Sequence, residues 1–404
     1  MTTLATKVPV PDNVPPDSVR DFNIFAPPGG EHDLHGAWRT LQQTSPDFVW
    51  TPYHGGHWLP TRFDDIDYVQ RTYDPFSMHD ISMPGGVKPI RALPLEADPP
   101  EHIGYRIIVN PFFTPRKLNE LEQSTRDLAI TLIEGFRPDG TCEFMQDFAL
   151  KLPIAIFMRL ADLNMEDAPY LLELTEQVTR GGPDAVPEAY RKMMEYIVPI
   201  TEKRRAQPGS DLISAVVHAK VKGEQLSQND IISVLTVVLF GGLDTVASNM
   251  GFMAEYLARS PESRRELIDN PSLIPAAVYE MIRRFASATN ARTLSRDFDY
   301  KGIHFKKGDK VFPSTLLAGI DDRRFPDGYN IDFHRNQGEN SAFGAGPHRC
   351  PGQLLALLEM RIFIEEWLKA IPDFRVSESD PPRYSAGLVN CVAHLGLEWA
   401  ADTA

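Results

Sequence analysis

Cysteine is scarce in this chain, with only Cys142, Cys350 and Cys391 among 404 residues. Three scattered thiols build neither a disulfide framework nor a zinc-finger spacing, so reduced cysteines in a cytoplasmic protein are expected. Basic residues are the minority, 41 Lys and Arg against 55 Asp and Glu, for a formal charge of −14. That balance excludes a general nucleic-acid binder, which needs a basic surface, and argues against attachment to anionic lipid. The opening segment, MTTLATKVPVPDNVPPDSVRDF, is polar and proline-rich and has no apolar run long enough for a signal peptide or membrane anchor. Residues 1–20 are expected to be an extended polar segment. Internal repeats, low-complexity tracts and an interdomain linker are all lacking. A single monomeric domain spanning 1–404 is the expectation.

What is present is a chain with 42% hydrophobic residues, enough for a sizeable core. FVWTPYHGGHWLPT, Phe48–Thr61, predicts a hairpin turning at Gly55-Gly56, and the flanking His54 and His57 are read as incidental rather than metal-binding. Beyond ADPPEH the pattern turns helical, with candidate helices over Pro115–Phe136, Met165–Thr179, Pro187–Gln207, Ser227–Arg259 and Ser272–Phe285. DFDYKGIHFKKGDKVFPS predicts paired strands around Lys307-Gly308, a last long helix begins after Cys350, and LVNCVAHLGLEW reads as strand again. The fold class is mainly α with small strand patches.

Four stretches carry chemistry. FGAGPHRCPG runs from Phe343 to Gly352 and opens into QLLALLEMRIFIEEWLKAI. A cysteine just before a helix lies near backbone N–H groups and the positive dipole end, which favours thiolate, while Gly344, Gly346 and Gly352 permit close approach or positive φ. The segment is suited to presenting one anionic sulfur to a large flat object; a buried structural cysteine is the plainer reading. LFGGLDTVASN, Leu239–Asn249, places Gly241-Gly242 inside an apolar helix at a cost of about 1 kcal/mol each, followed by Asp244 and Thr245. Either Asp244 simply pairs with a distant cation such as Arg180, or the helix opens locally where an acid–alcohol pair delivers protons to a ligand. In YEMIRRF, Glu280 and Arg283 stand three apart on one face, a weak signal alone. In ADPPEHIGYR, His102 and Arg106 share a face of a helix starting near Pro99-Pro100, and Arg292 and His348 are further donors.

Taken together and in this order, these segments resemble the cytochrome P450 family. The F-x-x-G-x-x-x-C-x-G loop is matched by Phe343, Gly346, Cys350 and Gly352, the E-x-x-R by Glu280 and Arg283, and the acid–threonine pair by Asp244-Thr245. GGHWLPTR, RRFASATNAR and LKAIPDF look most like the soluble bacterial camphor-hydroxylase subfamily, which takes electrons from a [2Fe–2S] ferredoxin. The resemblance covers essentially the whole chain and implies a helical bundle around haem b, with small β-sheets towards each end. It implies that Cys350 is the axial thiolate, with Phe343 packed near the sulfur. His102, Arg106, Arg292 and His348 would then hold the propionates, and Glu280 and Arg283 would buttress the core. Asn290 stands where the camphor enzyme has an acid near a propionate.

The same resemblance implies a monooxygenase using O2, two protons and two electrons, the ferredoxin being reduced by an NAD(P)H-dependent reductase. Thr245 would hold bound oxygen and a water, and Asp244 would link that site to the proton supply by swinging away from Arg180. Aligning ADPPEH puts Ile90 where the camphor enzyme hydrogen-bonds its ketone. Val178, Val237, Phe240, Gly241, Ala288, Leu388 and Val389 are the other expected walls. An apolar pocket suits terpenoids, ionone-type norisoprenoids ahead of a camphor-type ketone. Arg106, Arg116, Lys117 and Arg349 are the expected basic patch for an acidic ferredoxin, and Ile103 replaces a basic residue the camphor enzyme uses there. Three other readings remain at this point: a peroxide-using haem–thiolate enzyme, a non-catalytic haem sensor or carrier, and a cysteine hydrolase with His348 as base.

Overall fold

The computed structural model describes residues 6–401 apart from 87, 181 and 337, and the side chains of 179, 180, 182 and 183 lie outside the description. One helix, Gln228–Arg259, organises the rest. Ser227 caps it by accepting from the Asp230 amide at 3.1 Å. Most of its residues from Ile231 to Ala258 are buried, Val237, Val238, Gly241, Gly242 and Thr245 among the exceptions, the pattern of a helix inside the core rather than on a surface. At 32 residues it spans about 48 Å. Among the described residues it is the one helix long and apolar enough to cross a membrane, and it is mostly buried within the protein. Helices Lys151–Ala161, Ala168–Arg180 and Gly182–Ala206 lie against it, as do Ile274–Phe285 and Gln353–Ala370.

The helix Pro115–Phe136 begins with proline at its first position, where the missing N–H costs nothing. Leu118, Thr125, Ala129, Ile133 and Phe136 form its buried stripe, which packs on Gln353–Ala370. Arg126 fastens the pair through Glu365 at 2.6 Å and through Glu366, and Arg361 reaches back to Glu122 at 2.7 Å. The helix that carries the cysteine loop is thereby fixed from outside.

The expected hairpin forms from Phe48–Thr51 and His57–Pro60, with Trp50 opposite Trp58, and Gly55 and Gly56 take positive φ at its turn. It starts a five-stranded sheet continued by Lys310–Val311, Arg292–Leu294 and Phe76–Ser77. Arg292 thus begins a buried strand in the interior of this sheet. Small sheets also form near the C-terminus, where Cys391–His394 pairs with Arg383–Ser385 and Gly396–Glu398 with Thr141–Glu143.

Three expectations need correction. The turn in DFDYKGIHFKKGDK falls at Lys301-Gly302, which joins Phe298–Tyr300 to Ile303–Phe305. Both turn residues have positive φ, as this tight connection demands, whereas Gly308 leads the chain into a different sheet. The helix expected from Pro187 begins at Gly182 and carries Pro187 and Pro199 inside it. The glycine pair does not break the central helix, which runs unbroken from Gln228 to Arg259.

Candidate active site

The cysteine loop is shaped by local bonds. The Cys350 amide donates to the Phe343 carbonyl at 2.9 Å, and the Gly344 amide to Ser341 at 2.8 Å. Gly344 and Gly346 have φ of 70° and 68°. A Cβ at Gly346 would lie 2.8 Å from the Arg71 Cα, so the loop is pressed onto the helix Phe63–Arg71 and only glycine fits. Cys350 lies three residues before the start of the helix Gln353–Ala370, and the amides of Gly352 and Gln353 are turned to its sulfur.

The helix start was expected to favour thiolate. In the protein alone, burial pushes the Cys350 thiol up, outweighing the Gly352 amide and the charges of Arg106 and Arg349. The sulfur is therefore placed to receive a cation that would stabilise its anionic form.

Cys350 opens on an internal cavity of about 400 Å³, which Phe343 and Gly352 also line. The central helix contributes Val237, Phe240, Gly241 and Thr245. Val178 comes from the preceding helices, and Ala288, Leu388 and Val389 from two segments joined by an Ala288–Val389 bridge. A Cβ at Gly241 or Gly242 would meet nothing within 4 Å. Packing does not require these glycines; they leave space beside Thr245. The Thr245 hydroxyl donates to the Gly241 carbonyl at 3.0 Å, and Asp244 is buried one position before it. Asn249 donates to the Thr245 carbonyl at 2.7 Å and to the Ser287 hydroxyl at 2.8 Å.

Polar donors gather on the cavity wall: His102, Arg106, Arg292 and His348 all line it. The two histidine rings lie 4.4 Å apart. Both ring nitrogens of His348 are buried with no hydrogen-bond partner; the nearest carboxylate, on Asp98, is 3.6 Å away. Burial, His348 and Arg106 push His102 down to about 4. Burial pushes His348 down and Arg292 to about 10. Burial disfavours positive charge at all four donors, an anionic guest would relieve that cost, and the orphaned His348 nitrogens leave hydrogen-bonding capacity for it. Asn290 also lines the cavity, and its carbonyl accepts from Arg292 at 3.0 Å. A sulfur, apolar walls and a carboxylate-binding cluster together match the chemistry of an iron tetrapyrrole with two propionates.

Glu280 and Arg283 are away from the cavity. Arg283 is 2% exposed and grips Glu280 through two bonds of 2.8 and 2.7 Å. It also donates to the carbonyls of Gly328, at 2.7 Å, and Gly319. Arg335, which the sequence did not single out, completes the cluster with Glu280 at 3.0 Å. The Arg180 side chain lies outside the described residues.

Cytochrome P450 is the family whose profile matches this chain, over residues 183–385. A probable cytochrome P450 127A1 from Sinorhizobium fredii is 31% identical over 97% of each chain. The chain belongs to the cytochrome P450 family. The crystal structure of CYP101J2 superposes with a TM-score of 0.88 at 39% identity, covering 97% of this chain and 100% of that one. CYP101C1 gives 0.89 at 35% identity, with the same coverage. These likenesses agree with the camphor-hydroxylase resemblance. The P450 is a monooxygenase and its cofactor is haem b. When bound, haem with a cysteine thiolate ligand supplies dioxygen activation, because the thiolate pushes electron density that favours O–O cleavage. Cys350 would hold its iron and His102, Arg106, Arg292 and His348 its propionates.

One pocket residue is misplaced. Ile90 is not on the cavity wall but packs into apolar clusters behind it. Glu96 explains this by accepting from the amides of Ile81, at 2.9 Å, and Ala92, at 2.7 Å, and from Lys88. The loop so closed turns Met78, Ile81, Ser82 and Lys88 inward. Sequence reasoning also missed Glu359, a fully buried acid on the cavity wall whose carboxyl is pushed well up by burial. Its signal was available, a charged residue within the apolar run QLLALLEMRIF.

Proposed function

We propose that this P450 hydroxylates a small, largely apolar terpenoid of the norisoprenoid type, drawing its two electrons one at a time from a [2Fe–2S] ferredoxin. The observation that carries the substrate reading is the apolar part of the cavity wall, made by Val178, Val237, Phe240, Ala288, Leu388 and Val389. Such a wall excludes water and holds an alicyclic skeleton by contact area rather than by directional bonds. Thr245 Oγ1, its hydrogen committed to Gly241, keeps lone pairs for a water donor at the cavity edge. Asp244, adjacent and buried, conveys protons to that hydroxyl.

The ferredoxin reading is supported by the face around the cysteine loop. Ile103 and Ile107 are exposed on the helix Glu101–Val109, as is Leu354 after the loop. Arg349 and Arg116 are exposed cations, while Lys117 is paired with Glu120 at 3.0 Å. Arg106 contributes less, since it is half-buried and donates to the Arg349 carbonyl at 2.9 Å. An apolar centre with a basic rim on a protein of charge −14 favours an acidic partner meeting a monomer in the cytoplasm.

Optical titration of the ferric protein with a terpenoid panel, followed by product identification with ferredoxin, reductase and O2, tests this. Ionones are expected to give the largest low-spin to high-spin change and a monohydroxylated product. A flat response to every terpenoid would overturn the substrate class, and turnover by peroxide alone would overturn the electron source.

A further inference from the structure

Most of the wall around the substrate is hydrocarbon, yet it contains a lysine. Lys88 lines the cavity with its side chain 11% exposed. Its ammonium donates to Glu96, whose carboxylate is 3% exposed and is otherwise occupied by the Ile81 and Ala92 amides. An ammonium has three N–H donors, and among the described residues Glu96 is the only hydrogen-bond partner Lys88 has. Donor capacity is therefore left over at the cavity surface.

The surrounding charges define what that capacity suits. Glu96 balances Lys88, and nearby Asp80 balances Lys310 at 2.9 Å. The four charges sum to zero, so an anionic ligand gains no net attraction there. Ser82, on the same loop as Lys88, and Tyr190 also line the cavity. Ser82 Oγ is buried without a partner, and Tyr190 packs edge-on to Phe240, its phenol pushed up by burial and by the Glu96 charge.

We infer that Lys88 Nζ donates a hydrogen bond to a neutral acceptor oxygen of the substrate, a carbonyl, ether or hydroxyl, and so sets which carbon faces the cysteine side. The substrate class is thus an oxygenated terpenoid rather than a hydrocarbon, an inference that rests on the terpenoid reading above. A hydrocarbon in the same place would displace water from the ammonium and leave its spare donors unpaired, which is the stronger part of the discrimination.

The test compares matched pairs, camphor with bornane and α-ionone with the hydrocarbon of its skeleton, by optical titration of the haem-loaded protein. The wild type is expected to bind each oxygenated member about tenfold or more tighter than its partner. Lys88→Met alone strands the Glu96 carboxylate and can open the loop, so Lys88→Met/Glu96→Gln is the informative variant. In it the affinity ratio is expected to fall to within about twofold of one, while the carbon monoxide spectrum still reports thiolate ligation, and products are expected to spread over more positions. Equal binding of both members by the wild type, or an undiminished ratio in the double variant, overturns the inference alone. No response to either member overturns the terpenoid reading and the inference with it.

Discussion

Thr245 commits its hydroxyl hydrogen to a carbonyl four residues back, 3.0 Å away, and faces the cavity where Gly241 and Gly242 leave room. If it delivers protons, Thr245→Ala still consumes reduced cofactor, but product per cofactor falls by about tenfold or more and peroxide rises in its place. Measuring cofactor, peroxide and product in one reaction checks this, and tight coupling would refute the role. That Thr245, like Cys350, faces this cavity was legible because the signal lies within a few consecutive residues. The substrate wall was not. Residues 79–93 carry no period, so nothing local distinguishes Ile90 from Lys88, and the choice is made by Glu96 through backbone amides at Ile81 and Ala92.

Helix ends were readable where a cap or a proline announces them, as at Ser227 and Pro115. A strand turn was misplaced where two similar Lys-Gly pairs compete, Lys301-Gly302 and Lys307-Gly308. The Glu280–Arg283 cluster shows what one element needs from others. Arg283 ties its helix to the carbonyls of Gly319 and Gly328, and Arg335 closes the cluster from a loop. An E-x-x-R gives no hint of those carbonyls, because its spacing describes one helix face only. Arg283→Ala is expected to cost about 3–5 kcal/mol, since Glu280 is left buried with only part of its compensation. Urea unfolding and haem content of the purified variant measure this. Loss below about 1 kcal/mol would reduce the cluster to an ordinary surface pair.

Across the molecule, buried histidines set an acid limit. Burial pushes His57 down to about 3 and His54 to about 4, and pushes His35 well down too. Each is neutral when folded but binds a proton near pH 6.5 when unfolded. Their stabilising contribution is therefore complete above that pH and is lost as pH falls towards 4 and 3. For the fully enclosed His57 the cost is about 1.4 kcal/mol per pH unit within its window, and for the half-buried His54 it is less. Urea unfolding between pH 5 and 6.5 is expected to show this slope, and His57→Gln to reduce it by about one proton. The sequence showed a hairpin at His54 and His57 but not that His57 would be fully enclosed, which depends on distant segments. The same reliance on main-chain groups bears on diversification. Because Glu96 fastens the loop at backbone N–H groups, exchanging Ser82 or Met83 alters the lining without undoing the latch. Descendants of this sequence can therefore change the small molecules they accept while this loop keeps its anchorage.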